Sequence, residues 1–441
     1  MRALTVLCLG YMFVTAGHLL AQAPELPLSE AIQIALENNR PANIAKLDID
    51  KAQWQVASTK TKRYPAISTY LFGSANLTSP SFNFKAGTFQ TPNGEPVPAT
   101  DTKISLSQGF TGYTADEVSQ PLTQLYKISL AIQEQKLEVD LSREKYRGKQ
   151  QSVVADVKQA YYAVLQTESA LDAATATVKQ YQETDRVVLD YVAQRSVLNS
   201  SSLDVKAKLA QAQYQITQLN DTLLTQKERL NNLMGRDLDA PFRTQQVPPE
   251  QPEEIDLKMA RQTALAQRSE VKEAEIDTHR AEVDRRLAKS QYIPDAGAAF
   301  HFLSPFNTQL LPQNIASAGF EMRWEPFEWG RRRDEVKQKD VVVEQSKYQL
   351  SEARAQVLLD VDSSFRKLAE SRALLAVAEA ARAAANEKLR EVNDKFRQSA
   401  VLLRDVLEQE AAVATANNEY EESLLAFWSA KASFEKALGE E

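Results

Sequence analysis

The sequence predicts a mainly helical chain with a minority of paired strands, built from one helix–strand–strand–long-hairpin unit used twice. Three observations carry this. First, the chain repeats itself: displaced by 229 residues, Leu28, Ala31, Gln33, Ala35, Leu36, Ala45, Asp48, Ala52, Lys60 and Pro65 fall on Leu257, Ala260, Gln262, Ala264, Leu265, Ala274, Asp277, Ala281, Lys289 and Pro294. Displaced by about 204, Asp156-Val157 falls on Asp360-Val361, Tyr161 on Phe365, Val197-Leu198 on Val401-Leu402 and Gly235 on Gly439. A repeat this long means one structural unit used twice, not a solenoid of short modules. Second, no proline lies between Pro121 and Pro241, or after Pro326, as long helices require. Third, short stretches in each copy alternate with period 2.

Taken in order, residues 1–23 have the pattern of a secretory leader: Met-Arg, an apolar run from Ala3 to Val14, then small residues ending in Ala21-Gln22-Ala23. Residues 28–63 are expected as a helix with Ser29 as N-cap, an apolar stripe through Ala31, Ile32, Ala35 and Leu36, and a kink or fresh start at Pro41. Tyr64-Pro65 ends it. Ile67, Thr69, Leu71, Gly73 and Ala75 then alternate with Ser68, Tyr70, Phe72 and Ser74, and residues 102–111 alternate again. Residues 78–101, with four prolines and two glycines, are expected as an exposed loop.

The second copy predicts a helix over 257–293, strands at 296–303 and 315–325, and a loop holding Pro305 and Pro312. In the last strand Ala316, Ala318, Phe320, Met322 and Trp324 share one face, and Ser317, Gly319, Glu321, Arg323 and Glu325 the other. That pattern suits a barrel wall between lipid and water, and equally an ordinary half-buried sheet. Each long run must fold back once. The least helical spots, Arg195–Ser202 and Gln398–Arg404, align under the 204 displacement. Arms of about 70 residues would be on the order of 100 Å long. Residues 24–235 and 257–439 are thus the two repeats, joined by a proline-marked linker at 236–256 expected to wrap the outside.

Composition narrows function. A net charge of −7 disfavours nucleic acid as a partner. The one cysteine, Cys8, lies within the leader, so no disulfide, thiolate nucleophile or cysteine metal site is expected beyond it, and no lipid anchor. His279 and His301 have no metal-ligand spacing, and no nucleophile triad, phosphate loop or zinc motif is present. No enzyme, cofactor or metal is expected. Arg331-Arg332-Arg333 reads as a solvated helix start rather than an anion site.

Four local motifs, in the same order as the repeats, carry a resemblance. These are Leu28-Ser29-Glu30-Ala31-Ile32-x-x-Ala35-Leu36-Glu37-Asn38-Asn39; Glu325-Pro326-Phe327-Glu328-Trp329-Gly330-Arg331-Arg332 at a strand-to-helix turn; Asp405-Val406-Leu407-Glu408 on the rising arm of the second hairpin; and the repeat ends Leu230–Gly235 and Phe434–Gly439. With the leader and the duplicated order of elements, the chain resembles the TolC family of outer-membrane efflux proteins. The resemblance implies a homotrimer in which each copy gives four strands to one twelve-stranded transmembrane barrel and its helices to a coaxial periplasmic α-helical tunnel.

It further implies outer-membrane lipid around the barrel, a periplasmic adaptor (membrane fusion protein) at the hairpin tips, and an inner-membrane pump of the RND or ABC type. The tips are Arg195, Ser196, Val197 and Leu198, with Ser399, Ala400, Val401 and Leu402 in the second copy. Both lack the glycine that family tips often carry. Asp405 and Glu408, three residues apart on one helix face, match an acidic pair that rings the periplasmic entrance. Phe320, Trp324 and Trp329 are the expected membrane-interface aromatics. The function implied is a passive exit duct for efflux or type I protein secretion; a pore-free periplasmic coiled-coil scaffold is the alternative.

Overall fold

The computed structural model describes residues 24–78, 81–105, 109–194, 198–248, 255–307, 314–398, 400–401 and 403–440. The proposed leader, 1–23, lies outside them. The elements run β1 (Glu25–Leu26), α1 (Leu28–Asn38), α2 (Arg40–Thr61), β2 (Ala66–Asn76), β3 (Ser81–Phe84), β4 (Phe89–Gln90), β5 (Pro96–Val97), β6 (Thr102–Ser105), β7 (Gly109–Pro121), α3 (Gln124–Ala193) and α4 (Asn199–Leu233). After β8 (Arg243–Thr244) come α5 (Leu257–Gln267), α6 (Ser269–Ser290), β9 (Asp295–Phe306), β10 (Ile315–Arg323), α7 (Arg331–Arg397) and α8 (Leu403–Leu438).

The repeat survives in three dimensions. Displaced by 229, the bounds of α1 and α2 are those of α5 and α6; displaced by 204, α3 ends where α7 ends and α4 begins where α8 begins. Both hairpins close on a left-handed glycine, Gly235 (φ 69°) and Gly439 (φ 81°). Beyond each, a 6→1 bond caps the last turn: Arg236 N–H to Asn231 O (2.9 Å) and Glu440 N–H to Glu435 O (3.2 Å).

Several expectations are corrected. The first helix breaks at Asn39, which is extended (φ −62°, ψ 119°), and not at Pro41. Asn39 Oδ1 accepts the Ala42 N–H (3.1 Å), so Asn39 caps α2, and Pro41 sits harmlessly in the first turn. Pro27, not Ser29, precedes α1. The second helix also breaks, at extended Arg268 (φ −60°, ψ 129°), with no proline to announce it.

The second strand of the first copy is β7, at 109–121, and not 102–111. Its alternate residues Phe110, Gly112, Thr114, Asp116, Val118 and Gln120 are too mixed to show a period. The expected loop at 78–101 contains β3, β4 and β5; β3 pairs with β6 and β4 with β5. Pro305 lies inside β9, opposite Tyr113, and Trp324 lies just past the end of β10.

The chain forms two compact units, each drawing on both sequence copies. One comprises residues up to Asn43, Lys149–Ala264 and Asp360 onward. Its core contains Val157, Tyr161 and Val164 of α3, Leu230 of α4, Met234 just beyond it, Val361 of α7 and Phe427 of α8, all essentially without solvent contact. Each aliphatic side chain buried this fully contributes about 1.5–3 kcal/mol. The Tyr161 hydroxyl donates to Leu26 O (2.8 Å) and accepts the Gln245 N–H (2.6 Å), holding the parallel β1–β8 pair onto the helices. The linker is therefore not wholly external: Phe242 is buried, and Trp428 Nε1 donates to Pro248 O (3.2 Å).

The other unit comprises Ile44–Gly148 and Leu265–Leu359. Its helical core includes Ala52, Val56 and Val139, with Val271 and Val283 of α6 fully buried. At Gly148 of α3, a Cβ would come within 2.5 Å of Ser269 Oγ, so a larger residue there would force the serine hydroxyl to move. The same unit carries the four-stranded antiparallel sheet, in the order β10–β9–β7–β2.

Candidate functional site: the sheet and the hairpin ends

In the sheet, β2 pairs with β7 from Ala66↔Ser119 to Asn76↔Gly109, β7 with β9 from Gly112↔Phe306 to Pro121↔Gly297, and β9 with β10 from Leu303↔Ile315 to Asp295↔Arg323. Because side chains alternate, this register sorts them into two faces. Ile67, Val118, Phe300 and Ala318 lie side by side on one face, with Phe320 and Met322 further along it. Ser68, Glu117, His301 and Ser317 lie side by side on the other, with Glu321, Asp295 and Arg323. The first face also carries Asp116 and Gln120 of β7, and the second Tyr70, Phe72, Tyr113 and Leu303; a mainly apolar face backed by a mainly polar one suits a wall between hydrocarbon and water.

Among the described residues, the outer edges of β2 and β10 have no neighbouring strand. Open edges this long are templates for further pairing. A polar-face cavity of about 1050 Å³ is lined by residues including Lys62, Glu117, Asp295, Glu321 and Arg323. Sequence reasoning missed these charges, because their juxtaposition depends on pairing strands about 180 residues apart.

The turn from β10 into α7 is closely tied. Trp329 (φ 56°) and Gly330 (φ 86°) are successive left-handed residues. For a bulky side chain this conformation costs about 1–3 kcal/mol. Glu328 helps to hold it: its carboxylate accepts the Arg332 backbone N–H (3.2 Å) and pairs with Arg332 Nε (2.8 Å). Arg331 bonds Glu335 (2.8 Å) and Arg333 pairs with Asp334 (3.1 Å). The hydrogen bond from Arg333 holds the Asp334 carboxyl below its ordinary value. All three arginines of the run therefore face carboxylates, and none is set aside for an anion. Trp329 is 89% exposed and stands edge-on to Phe327, with ring centres 4.8 Å apart; Phe320 and Trp324 are also exposed.

The hairpin ends lie in the other unit. Gln194 N–H still bonds Asp190 O (3.2 Å), and α4 begins after extended, exposed Leu198. In the second copy Ala400 N–H bonds Lys395 O (2.9 Å), a 6→1 closure of α7. Val401 is half-buried. Arg195, Ser196, Val197, Ser399 and Leu402 lie outside the described residues. Asp405 is half-buried in the first turn of α8, where the helix dipole favours an acid, and Glu408 is exposed one turn on. Val406 and Gln409 take the buried side between and beyond them.

No helix among the described residues is long and apolar enough to cross a membrane, and no cluster of His, Cys, Asp and Glu among them could hold a metal ion. Residues 31–236, nearly the whole first copy, match the family described as outer membrane efflux protein. Over those residues the chain is similar to that family.

This is a family of channels, not of enzymes. Solved structures share the fold. The CmeC outer membrane channel of Campylobacter jejuni aligns at 14% identity with a TM-score of 0.76, covering 93% of this chain and 85% of its own. The open state of the MtrE outer membrane channel of Neisseria gonorrhoeae aligns at 15% identity and a TM-score of 0.70, covering 94% and 89%. The outer membrane protein VceC of Vibrio cholerae aligns at 15% identity and a TM-score of 0.68, covering 94% and 96%. No curated protein matches the chain by sequence. The fold is thus that of a channel with a strand barrel and a helical tunnel.

Proposed function

We propose that this chain is the outer-membrane exit duct of a tripartite export system, conducting substrate passively to the exterior. The observation that supports this best is the sheet: mainly apolar on one face, mainly polar on the other, and, among the described residues, unpaired at both long edges. Unpaired backbone is not tolerated in hydrocarbon, so such a sheet can enter a membrane only by closing on itself. Four strands cannot close alone. Three copies joined edge to edge, β2 of one against β10 of the next, supply twelve strands, within the size range of outer-membrane barrels.

Each repeat, 24–235 and 257–439, would give two strands and one helical hairpin. The hairpin ends around Leu198 and Ala400-Val401 would meet a periplasmic adaptor, itself joined to an inner-membrane pump of the RND or ABC type. Phe320, Trp324 and Trp329 would sit at the membrane interface. Asp405 and Glu408, tripled by symmetry, would ring the periplasmic entrance, where repelling carboxylates favour cations or a partner's basic groups.

The test is single-channel recording of the detergent-purified protein in a planar bilayer, with Asp405→Ala/Glu408→Ala beside it. Small cation-preferring openings from the parent, and larger, less selective ones from the double variant, are expected. Conductance unchanged by the variant would reject the gate. Silence from both, with trimers absent from outer-membrane fractions, would turn the reading to a pore-free periplasmic scaffold.

A further inference from the structure

On the polar face of the sheet, Glu117 of β7 stands directly opposite His301 of β9. His301 Nε2 lies 3.1 Å from Glu321 Oε1 of β10, four residues along the neighbouring strand from its register partner Ser317. Three adjacent strands therefore bring one imidazole between two carboxylates. The intervening row, Ala66, Ser119, Ala299 and Gly319, holds only small residues. Glu117 and Glu321 line the same cavity, together with Ala66, Ser119 and Ala299 of that row.

The charges nearer the helices are arranged differently. Asp295 bonds Lys127 (2.6 Å) and is paired in register with Arg323, while Lys62 lines the same cavity. That end is balanced or basic, whereas the rows of Glu117 and Glu321 are acidic.

We propose that Glu117 and Glu321 form a cation-selecting belt inside the barrel, with His301 as the residue that positions the Glu321 carboxylate. This is a second selectivity element, distinct from Asp405 and Glu408. It rests on the duct reading, since only a closed barrel turns this face inward. Three copies then place six carboxylates around one lumen, and carboxylate rings of this kind confer cation preference on pores. Lumen-facing substitutions in barrels tune selectivity while lipid-facing ones do not.

The experiment is reversal-potential measurement across a salt gradient in planar bilayers, using the parent, Glu117→Gln/Glu321→Gln, and the double variant in the Asp405→Ala/Glu408→Ala background. The cation-to-anion permeability ratio should fall several-fold in Glu117→Gln/Glu321→Gln, most at low salt, and further in the combined background. His301→Ala should shift it part of the way, and His301→Gln, which keeps a hydrogen-bonding group, should restore it.

A second readout uses the absence of cysteine after Cys8. Glu321→Cys should lose current in steps when treated with a water-soluble cationic methanethiosulfonate. Phe320→Cys, on the opposite face, should not. An unchanged permeability ratio together with an unreactive Glu321→Cys would overturn the belt while leaving the duct intact. Silence from the parent channel would overturn the duct, and the belt with it.

Discussion

The helices α2 and α6 occupy the same register of the repeat, residue for residue, and meet opposite surroundings. Val283 of α6 is 1% exposed; its counterpart in α2, Trp54, is 75% exposed. Glu273 of α6 is half-buried; its counterpart, Ile44, is 62% exposed. The breaks that precede them share a backbone conformation but not a means of support. Asn39 caps through its own amide and also donates to Leu233 O (2.8 Å), whereas Arg268 pairs with Glu270 (2.8 Å). Duplication preserved the backbone path and left each copy to find its own side-chain devices. A tryptophan and an isoleucine left bare on one copy, where the other is packed, mark a face that a single chain leaves uncovered.

The largest expected effect tests that contrast. Val283→Ala should lower the stability of the chain by about 2 kcal/mol through lost burial and a residual cavity. Trp54→Ala should leave a single chain within about 0.5 kcal/mol of the parent. If another copy covers that face, Trp54→Ala should instead lower the temperature at which trimers dissociate. Thermal melts paired with size-exclusion profiles measure both, and equal losses from the two variants would erase the distinction between the copies.

Next comes the break. Asn39→Ala should cost about 1–2 kcal/mol, since it removes a cap and leaves the Leu233 carbonyl short of a partner. Arg268→Ala, which removes a pair whose Glu270 side chain is half exposed, should cost less. Chemical denaturation of both variants would show it, and the reverse order would mean that the arginine pair, not the amide, is the stronger support.

The smallest effect concerns pH. Burial, reinforced by the nearby carboxylates of Glu270, Asp277 and Glu144 and opposed by Lys145, raises the Glu273 carboxyl above its ordinary value. A raised carboxyl disfavours the folded state at neutral pH, and the penalty lifts as pH falls through the folded value towards the ordinary one. Glu273→Gln should therefore stabilise slightly at pH 7.5, by well under 1 kcal/mol after screening, and show no advantage near pH 4. Melting curves at the two pH values decide it.

Much of this architecture is legible in the residues. The two displacements locate every long helix, and the proline-free runs with their non-helical gaps locate both hairpin turns. What escaped notice did so for physical reasons. The β7 strand is hidden because its two faces are nearly equally mixed, and its identity comes from the neighbours that flank it. The break at Arg268 carries no breaker, only a residue that happens to be extended. The burial of Phe242 and the tie of Trp428 to the linker are masked by the prolines around them. The His301–Glu321 contact depends on strand register, which short-range pattern does not specify. The roles given to the acidic pair on α8 and to the tip residues rest on the resemblance alone and are proposals.

The duplication also bears on how the assembled state is populated. On the proposed trimeric reading, a chain of one copy would bring two strands and one hairpin, and six such chains would have to meet to close the ring that three complete chains would close. For a given affinity at each joint, the closed ring then rises with the third power of free chain concentration rather than the sixth. On that reading, fusion of the copies would make closure reachable at far lower abundance, since every second joint between repeats, the one between β7 and β9, forms within a single molecule.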